Sequence, residues 1–500
     1  MTDNLKPAFL VSSPRDVIFV ILVGLVVYFL GDLLYHITVH PLAAIPGPIL
    51  CGISRIPYWI ACIRGQDIFW LHRLHQTYGP AVRFGPRDVS YATAEAWKPV
   101  YGPVKHKREN EKAQEFFVPS YKVPSMLAAD YEVHSRYRRL FAPAFSERAL
   151  HKHQGLIRKY IALFITKISE LSKDGHPVEM TSLFNFVTFD IMAELCFGHE
   201  LQQLRANHYD PWVRSIFEQL RALPFMSAIM YYPILNYMFS RFAPGWIQEH
   251  RNAHCQFAAD LVDTRIREGP STYDADLWRL AIDGLSIEEM HSNAEFFMIA
   301  GSETSATLLS GVVFYLLKNP QTMERLSREI RDSFQRIEEM SFEDLARLPY
   351  LNACLKEAMR IFPPVAVGSP RVVYEGGQHI MNHWLPGGTR ISVHHYSTYR
   401  SLNNFKNPDE FIPDRWLGDP LYSDDMREAH QPFSYGPRDC LGQAFAKHEI
   451  RMVLAALVFT FNLELCRESI DWDKKLRCYA LWEKGSIACR LSRYIHHGRL

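Results

Sequence analysis

The chain has 500 residues, 48% of them hydrophobic, with 55 Lys and Arg against 54 Asp and Glu and a formal net charge of +1. So even a balance excludes the basic footprint of a nucleic-acid-binding protein. Nine cysteines, an odd number at scattered spacings, form neither a disulfide framework nor a zinc pattern, which fits a reducing compartment where one thiol stays available as a ligand.

Residues 1–16 are a short N-terminal segment. Residues 17–31 (VIFVILVGLVVYFLG) are uncharged and apolar apart from the Tyr28 hydroxyl, and Leu33-Leu34-Tyr35 extends the run past Asp32. A spanning helix needs ~20 mostly apolar residues, so 17–35 is expected to be an uncleaved transmembrane anchor. A signal peptide is the rival, but Gly31-Asp-Leu-Leu-Tyr-His is a poor cleavage site. Residues 36–48 end in Pro46-Gly47-Pro48 and read as a stiff hinge. No linker or repeat divides residues 49–500, which read as one catalytic domain. Lys6 and Arg15 precede the anchor and no Lys or Arg follows it until Arg55, so charge encodes orientation only weakly.

Residues 81–92 alternate as a hairpin does. Lys105-His-Lys107-Arg108 reads as a solvated loop, and neither His151 with His153 nor His394 with His395 has partners at metal-ligand spacing. His134 and Arg138 are four apart and share a helix face; alone, they are equally a solvated basic helix end. Ser286-Ile-Glu-Glu289 is a capping box, opening a helix expected to reach about Lys318, before Pro320. At its centre lies Ala300-Gly301-Ser302-Glu303-Thr304-Ser305. A helical glycine costs about 1 kcal/mol against alanine, so Gly301 needs a packing or ligand reason, unless the stretch is a polar patch facing solvent. Glu357 and Arg360, on a helix ending before Phe362-Pro363-Pro364, would alone be a surface pair of little worth. Residues 371–393 look strand-rich, punctuated by Gly376-Gly377 and Pro386-Gly387-Gly388.

The most informative stretch is Phe433-Ser-Tyr-Gly436-Pro-Arg438-Asp-Cys440-Leu-Gly442. It places one cysteine in a glycine-flanked loop ahead of an alanine- and leucine-rich segment, 443–466, that reads as a helix. A thiolate at a helix N-terminus is favoured by the dipole and by unpaired N–H groups. Gly436 and Gly442 permit tight turns and close approach of a flat ligand, Phe433 can shield the sulfur, and Arg438 can pair with an anion. The loop suits a planar, anionic metal cofactor, with haem the obvious candidate.

The pattern F-x-x-G-x-R-x-C-x-G resembles the haem-binding signature of the cytochrome P450 family at every fixed position. Periodicity alone gives only a large, mainly α chain; the resemblance implies the mainly α family fold with a smaller β portion, over roughly residues 46–493. It implies haem b, with Cys440 as the axial iron ligand. Ala300-Gly301-Ser302-Glu303-Thr304-Ser305 is similar to the family stretch crossing the distal face of the haem, where Ala300 and Gly301 leave room for dioxygen, Thr304 donates to it, and Glu303 feeds protons inward from solvent. Glu357 and Arg360 resemble the E-x-x-R motif, joined by Arg415 from Phe411-Ile-Pro413-Asp-Arg415 in a structural cluster. His134, in place of the family's tryptophan, Arg138 and Arg371 are the implied partners of the haem propionates.

The same resemblance implies a monooxygenase acting on a lipophilic small molecule with dioxygen and electrons from NADPH through cytochrome P450 reductase, with Lys447 near the docking rim. The anchor then lies in the endoplasmic reticulum membrane with the catalytic body cytosolic. Ile-Pro-Gly-Pro, Ala-Gly-Ser-Glu-Thr-Ser and Leu481-Trp-Glu-Lys look like fungal secondary-metabolite enzymes, implying a terpenoid or polyketide substrate. Pocket segments located by resemblance are 116–126, 217–239, the face around Phe297 and Ala300, 365–369 and 479–481, with Phe116, Phe117, Phe225, Met226, Phe297 and Leu481 as apolar lining. The rival readings are an oxygen-independent rearrangement or dehydration on the same haem, which the Glu303-Thr304 pair disfavours, and a non-catalytic haem-thiolate sensor.

Overall fold

The computed structural model describes residues 14–103, 109–117, 121–242, 245–268 and 284–495. Lys6, the basic run at 105–108 and part of the segment 116–126 therefore lie outside the described residues. Helix Pro14–Leu34 continues as a π-helical turn, Tyr35–Val39. The stretch Pro14–Val39 is long and apolar enough to cross a membrane, with mean hydropathy 2.7 and none of its apolar window buried in the body. Helices Met180–Phe197 and Ile287–Lys318 also qualify by length and composition, but they are packed inside the protein.

Arg83 and the buried side chains of Leu42 and Ile45 hold the chain after the anchor to the body. Arg83 donates to the carbonyls of His36 (2.8 Å), Gly52 (3.2 Å) and Pro86 (2.9 Å). Gly47 lies so close to this strand that a Cβ would meet the Arg83 carbonyl at 2.0 Å. Next to it, Arg55 is 2% exposed, pairs with Asp88 and Glu115, and has the rings of Tyr58, Trp59, Phe116 and Tyr231 within 4.6–5.2 Å of its guanidinium. Cation–π contacts strengthen when desolvated, so this cage ties the first helices to the sheet and to the end of helix Pro211–Tyr231.

The expected hairpin forms from Ala81–Gly85 and Asp88–Tyr91. It joins Arg390–Val393, Arg371–Val372 and Glu111–Lys112 in one five-stranded sheet, in that order. The helical core centres on Met180–Phe197, almost wholly buried, against Ile287–Lys318. Ser286 and Glu289 close the capping box, and the helix ends at Lys318 as its sequence dictates. The packing also explains Gly301. A Cβ there would meet Met192 Cε and Sδ at 2.6 Å, so the glycine admits the neighbouring helix as well as leaving an open face.

One expected element is shorter. The helix after the cysteine loop is Gln443–Thr460, and Phe461–Leu465 is a strand paired with Ala488–Arg493. Phe461-Asn-Leu-Glu-Leu alternates in burial with period two, which a strand satisfies and a helix does not.

Candidate functional site

Two residues with positive φ and one backbone bond shape the cysteine loop. Ser434 and Gly436 have φ of 65° and 83°, and a Cβ on Gly436 would meet the Tyr101 carbonyl at 2.3 Å. The Cys440 N–H donates to the Phe433 carbonyl at 2.9 Å, closing the loop just ahead of helix Gln443–Thr460. Gly442 differs: its φ is negative, and a Cβ would make only ordinary contact with the Phe145 ring at 3.6 Å. The protein's own packing does not demand glycine there. Cys440 is accessible yet deep in the body, and burial pushes its thiol up more than the Gly442 N–H brings it down. The Gly442 N–H and the Arg138 and Lys447 charges favour the thiolate without offsetting that burial. Phe433 is half-buried, with the Lys447 ammonium 5.1 Å from its ring centroid.

Beside the loop lies a group of buried cations. Arg438 forks onto Glu109 (Nε to the two oxygens at 2.7 and 2.9 Å) and donates to the Ala129 carbonyl at 2.7 Å. Arg371 is 3% exposed, and its Nε and one terminal nitrogen have no hydrogen-bond partner. Lys112 is its direct cross-strand neighbour. Burial, then Arg371 and Arg438, drive the Lys112 ammonium well below its usual range; burial and Arg438 lower Arg371 to about 10. His134 is also buried, and burial with Arg438, Lys112, Arg138 and Arg371 lowers it to about 3, leaving it neutral. Arg138 meanwhile donates to the Asp439 carbonyl at 2.6 Å and pairs with its side chain.

Across the core, the centre of helix Ile287–Lys318 has two faces. Ala300, Gly301 and Thr304 are half-buried, while Ser302, Glu303 and Ser305 are at most 2% exposed. The polar-patch alternative is thereby excluded. The Thr304 hydroxyl donates to the Ala300 carbonyl at 2.7 Å, which orients it along the accessible face. Glu303 is not in contact with solvent as expected. One of its oxygens pairs with the Lys484 ammonium and the other has no partner.

Behind the loop, Glu357, Arg360 and Arg415 are buried together. Arg360 forks onto Glu357 (2.9 and 2.8 Å) and donates to the carbonyls of Tyr399, Pro408 and Glu410. Arg415 reaches Glu357 at 3.1 Å and also pairs with Asp425; the Trp416 indole and the Ile412 N–H complete the shell around Glu357. Burial alone would raise the Glu357 carboxyl, but the two arginines and these donors hold it below the usual range.

A family model described as cytochrome P450 matches residues 55–485. The chain belongs to the cytochrome P450 family. It is 39% identical over 468 residues, covering 91% of this chain and 92% of the relative, to the cytochrome P450 monooxygenase efuB of Hormonema carpetanum. Identity is 38% over 470 residues, 92% and 99% of the two chains, with the monooxygenase FUM2 of Gibberella moniliformis. It is 37% over 481 residues, 94% and 90%, with averantin hydroxylase of Dothistroma septosporum. The chain is thus an oxidoreductase of the P450 class, and the family implies a haem-thiolate cofactor, a redox partner, dioxygen and a small-molecule substrate. The residues present fit that cofactor: an accessible thiol, a glycine that the packing leaves free, and unpartnered buried guanidinium nitrogens suited to carboxylates.

Several residues of this P450 escaped the sequence reading. Lys112 sits on a two-residue strand with no periodicity to mark it, and Glu109 is remote in sequence from Arg438. Lys484 lies 181 residues from Glu303. The expected pocket lining also changes. Phe225 is 53% exposed; Phe116 belongs to the Arg55 cage; Phe117 lies under the Lys112 ammonium; and Phe297 is core, edge-on to Phe141. Met226 and Leu481 are half-buried. Periodicity distinguishes apolar from polar faces, not pocket from core.

Proposed function

We propose that this P450 is a membrane-anchored monooxygenase that inserts one atom of dioxygen into a lipophilic small molecule. Haem b would be held by Cys440 as iron ligand, with Phe433, Gly436 and Gly442 shaping the loop. Arg371, Arg438 and Lys112, with neutral His134 and Arg138 at the margin, would receive its carboxylates. The observation that carries the reading is buried Arg371, with two unpartnered nitrogens, grouped with Arg438 and Lys112 beside the exposed Cys440. When bound, the haem iron supplies dioxygen activation, and thiolate donation favours O–O cleavage.

The chain's own residues then have separable tasks. Ala300 and Gly301 keep the middle of the distal helix open. Thr304 offers a hydroxyl on that face, and Glu303 supplies its protons from a buried position. Glu357, Arg360 and Arg415 brace the loop without touching the reactants. Electrons would come from NADPH through cytochrome P450 reductase, docking where Lys356, Lys447 and Arg451 line one crevice with Phe433. Residues 17–35 would anchor residues 49–500, through the hinge 36–48, to the cytosolic side of the endoplasmic reticulum membrane. The substrate would be a fungal secondary-metabolite intermediate, a terpenoid or polyketide, a class in keeping with fungal relatives such as averantin hydroxylase.

The test is a carbon-monoxide difference spectrum of wild type and Cys440→Ala, followed by turnover with labelled dioxygen, NADPH and the reductase. A thiolate-type band surviving in Cys440→Ala rejects the ligand. Product lacking the label favours the oxygen-independent rearrangement.

A further inference from the structure

Lys484 is as deeply buried as the acid it meets: the side chains are 3% and 2% exposed. Its ammonium donates to Glu303 and, at 2.9 Å, to Thr307, which lies one turn further along the same helix. Such burial is costly for both charges, and a lysine not needed for this pair would keep its head in water. The lysine is placed by the hairpin of Arg477–Tyr479 and Leu481–Glu483, turned at Ala480 with φ of 69°. Trp482 holds the hairpin inward, its indole donating to the Pro363 carbonyl at 2.8 Å. Glu483, on the alternate face, pairs with Arg221 of helix Pro211–Tyr231. Glu483 at the end of this strand and Lys484 just beyond it thus grip two different helices.

We infer that Lys484 is a positioning residue for proton handling: it keeps Glu303 ionised and fixed on the distal helix, next to Thr304. This rests on the role given above to Glu303. The groups facing Glu303 support it. Among the described residues Lys484 is the one cation against it, Thr307 shares that cation, and the Tyr209 phenol nearby is engaged with Asn185 and Ser182. Burial pushes the Glu303 carboxyl up and the Lys484 ammonium down, and each opposes the shift in the other. Remove the lysine and the remaining environment favours a protonated, neutral acid that no longer recharges.

The test compares Lys484→Met, Lys484→Arg, Glu303→Gln and Lys484→Met/Glu303→Gln as full-length holoproteins. Infrared spectroscopy at neutral pH should show in Lys484→Met one protonated-carboxyl band beyond those of wild type, Lys484→Arg and the double variant. Product formed per NADPH should fall about tenfold or more in Lys484→Met, within the range of a lost general acid, with the loss appearing as peroxide. Its pH profile should shift while that of Lys484→Arg does not. If Lys484→Met fails to retain haem, Lys484→Gln serves in its place. No additional protonated-carboxyl band in Lys484→Met, together with an impaired Glu303→Gln, overturns the role of Lys484 alone. A wild-type yield in Glu303→Gln overturns the Glu303 reading itself and the catalytic consequence with it.

Discussion

Lys112 and Arg371 are direct partners on antiparallel strands, although both are basic and both are buried. Like charges directly opposite one another destabilise a sheet, and Glu109, the carboxylate that meets this group, is already forked onto Arg438. The pair makes sense as a receptor for an anion. Lys112→Met is therefore expected to have opposite effects on the two forms of the protein. The haem-free chain gains stability, about 1 kcal/mol from the removed repulsion, whereas haem is lost faster, on the order of tenfold, because one charge-assisted bond is missing. Thermal unfolding of the haem-free form and haem transfer to an acceptor globin measure the two. A change of the same sign in both would refute the receptor role.

Glu357→Gln tests the brace behind the loop. The carboxylate serves two buried arginines, an indole and a backbone N–H. Removing one member of such a network costs about 3–5 kcal/mol, because the arginines stay buried without their counter-ion. Urea midpoints and haem content should fall together. Arg360→Lys should fail nearly as badly, since an ammonium cannot fork onto Glu357 and also meet three carbonyls.

These two cases show what sequence reveals and what it does not. The Glu357–Arg360 spacing is local, so their adjacency is legible, and the cysteine loop carries its own glycines and arginine. The long helix is equally plain, because its capping box and Pro320 mark both ends. Lys112, Glu109 and Lys484 are different. Their meaning comes from tertiary contacts across hundreds of residues, and nothing in their own neighbourhoods separates them from surface charges. The helix drawn too far, to 466, failed because alanine-rich residues run without a break into a short strand that only its alternation betrays.

The two loop glycines should respond differently to alanine. At Gly436 a side chain meets a backbone carbonyl at 2.3 Å and a positive φ, so Gly436→Ala should destabilise the protein with or without cofactor, by roughly 1–3 kcal/mol. At Gly442 the Cβ has room in the chain itself. Gly442→Ala should leave the haem-free stability within about 0.5 kcal/mol of wild type and weaken haem binding. Denaturant titration of the haem-free forms separates them; equal losses would remove the argument that Gly442 serves a ligand.

Reduction by the partner should depend on charge at the crevice beside Phe433. Lys356 is exposed there, next to Lys447 and Arg451. Lys356→Glu is expected to slow electron transfer several-fold at low salt, converging on wild type as salt screens the encounter. The carbon-monoxide spectrum should not change. Stopped-flow reduction across ionic strength decides it, and a salt-independent defect would point to misfolding instead of docking.

Glu449 offers a pH test between the two helices that flank the site. Its side chain is fully buried on helix Gln443–Thr460, neither oxygen is hydrogen-bonded, and the hydroxyl of Ser305 on the distal helix is also unpartnered. Burial raises its carboxyl to about 8, slightly offset by Ser305. An unfolded glutamate titrates near ~4.3, so the folded protein holds the extra proton between those values. The sign follows: this group's contribution is fully present below about pH 4 and is lost as pH rises through 8. Glu449→Gln cannot lose a proton, so its stability should overtake wild type across that window, by a few kcal/mol at pH 8.5, given ~1.4 kcal/mol per pKa unit. Urea unfolding at pH 5.5 and 8.5 reads the difference. Parallel pH curves would mean that Glu449 is already ionised in the fold, and that an unseen partner, not Ser305, meets it between the distal helix and the cysteine helix.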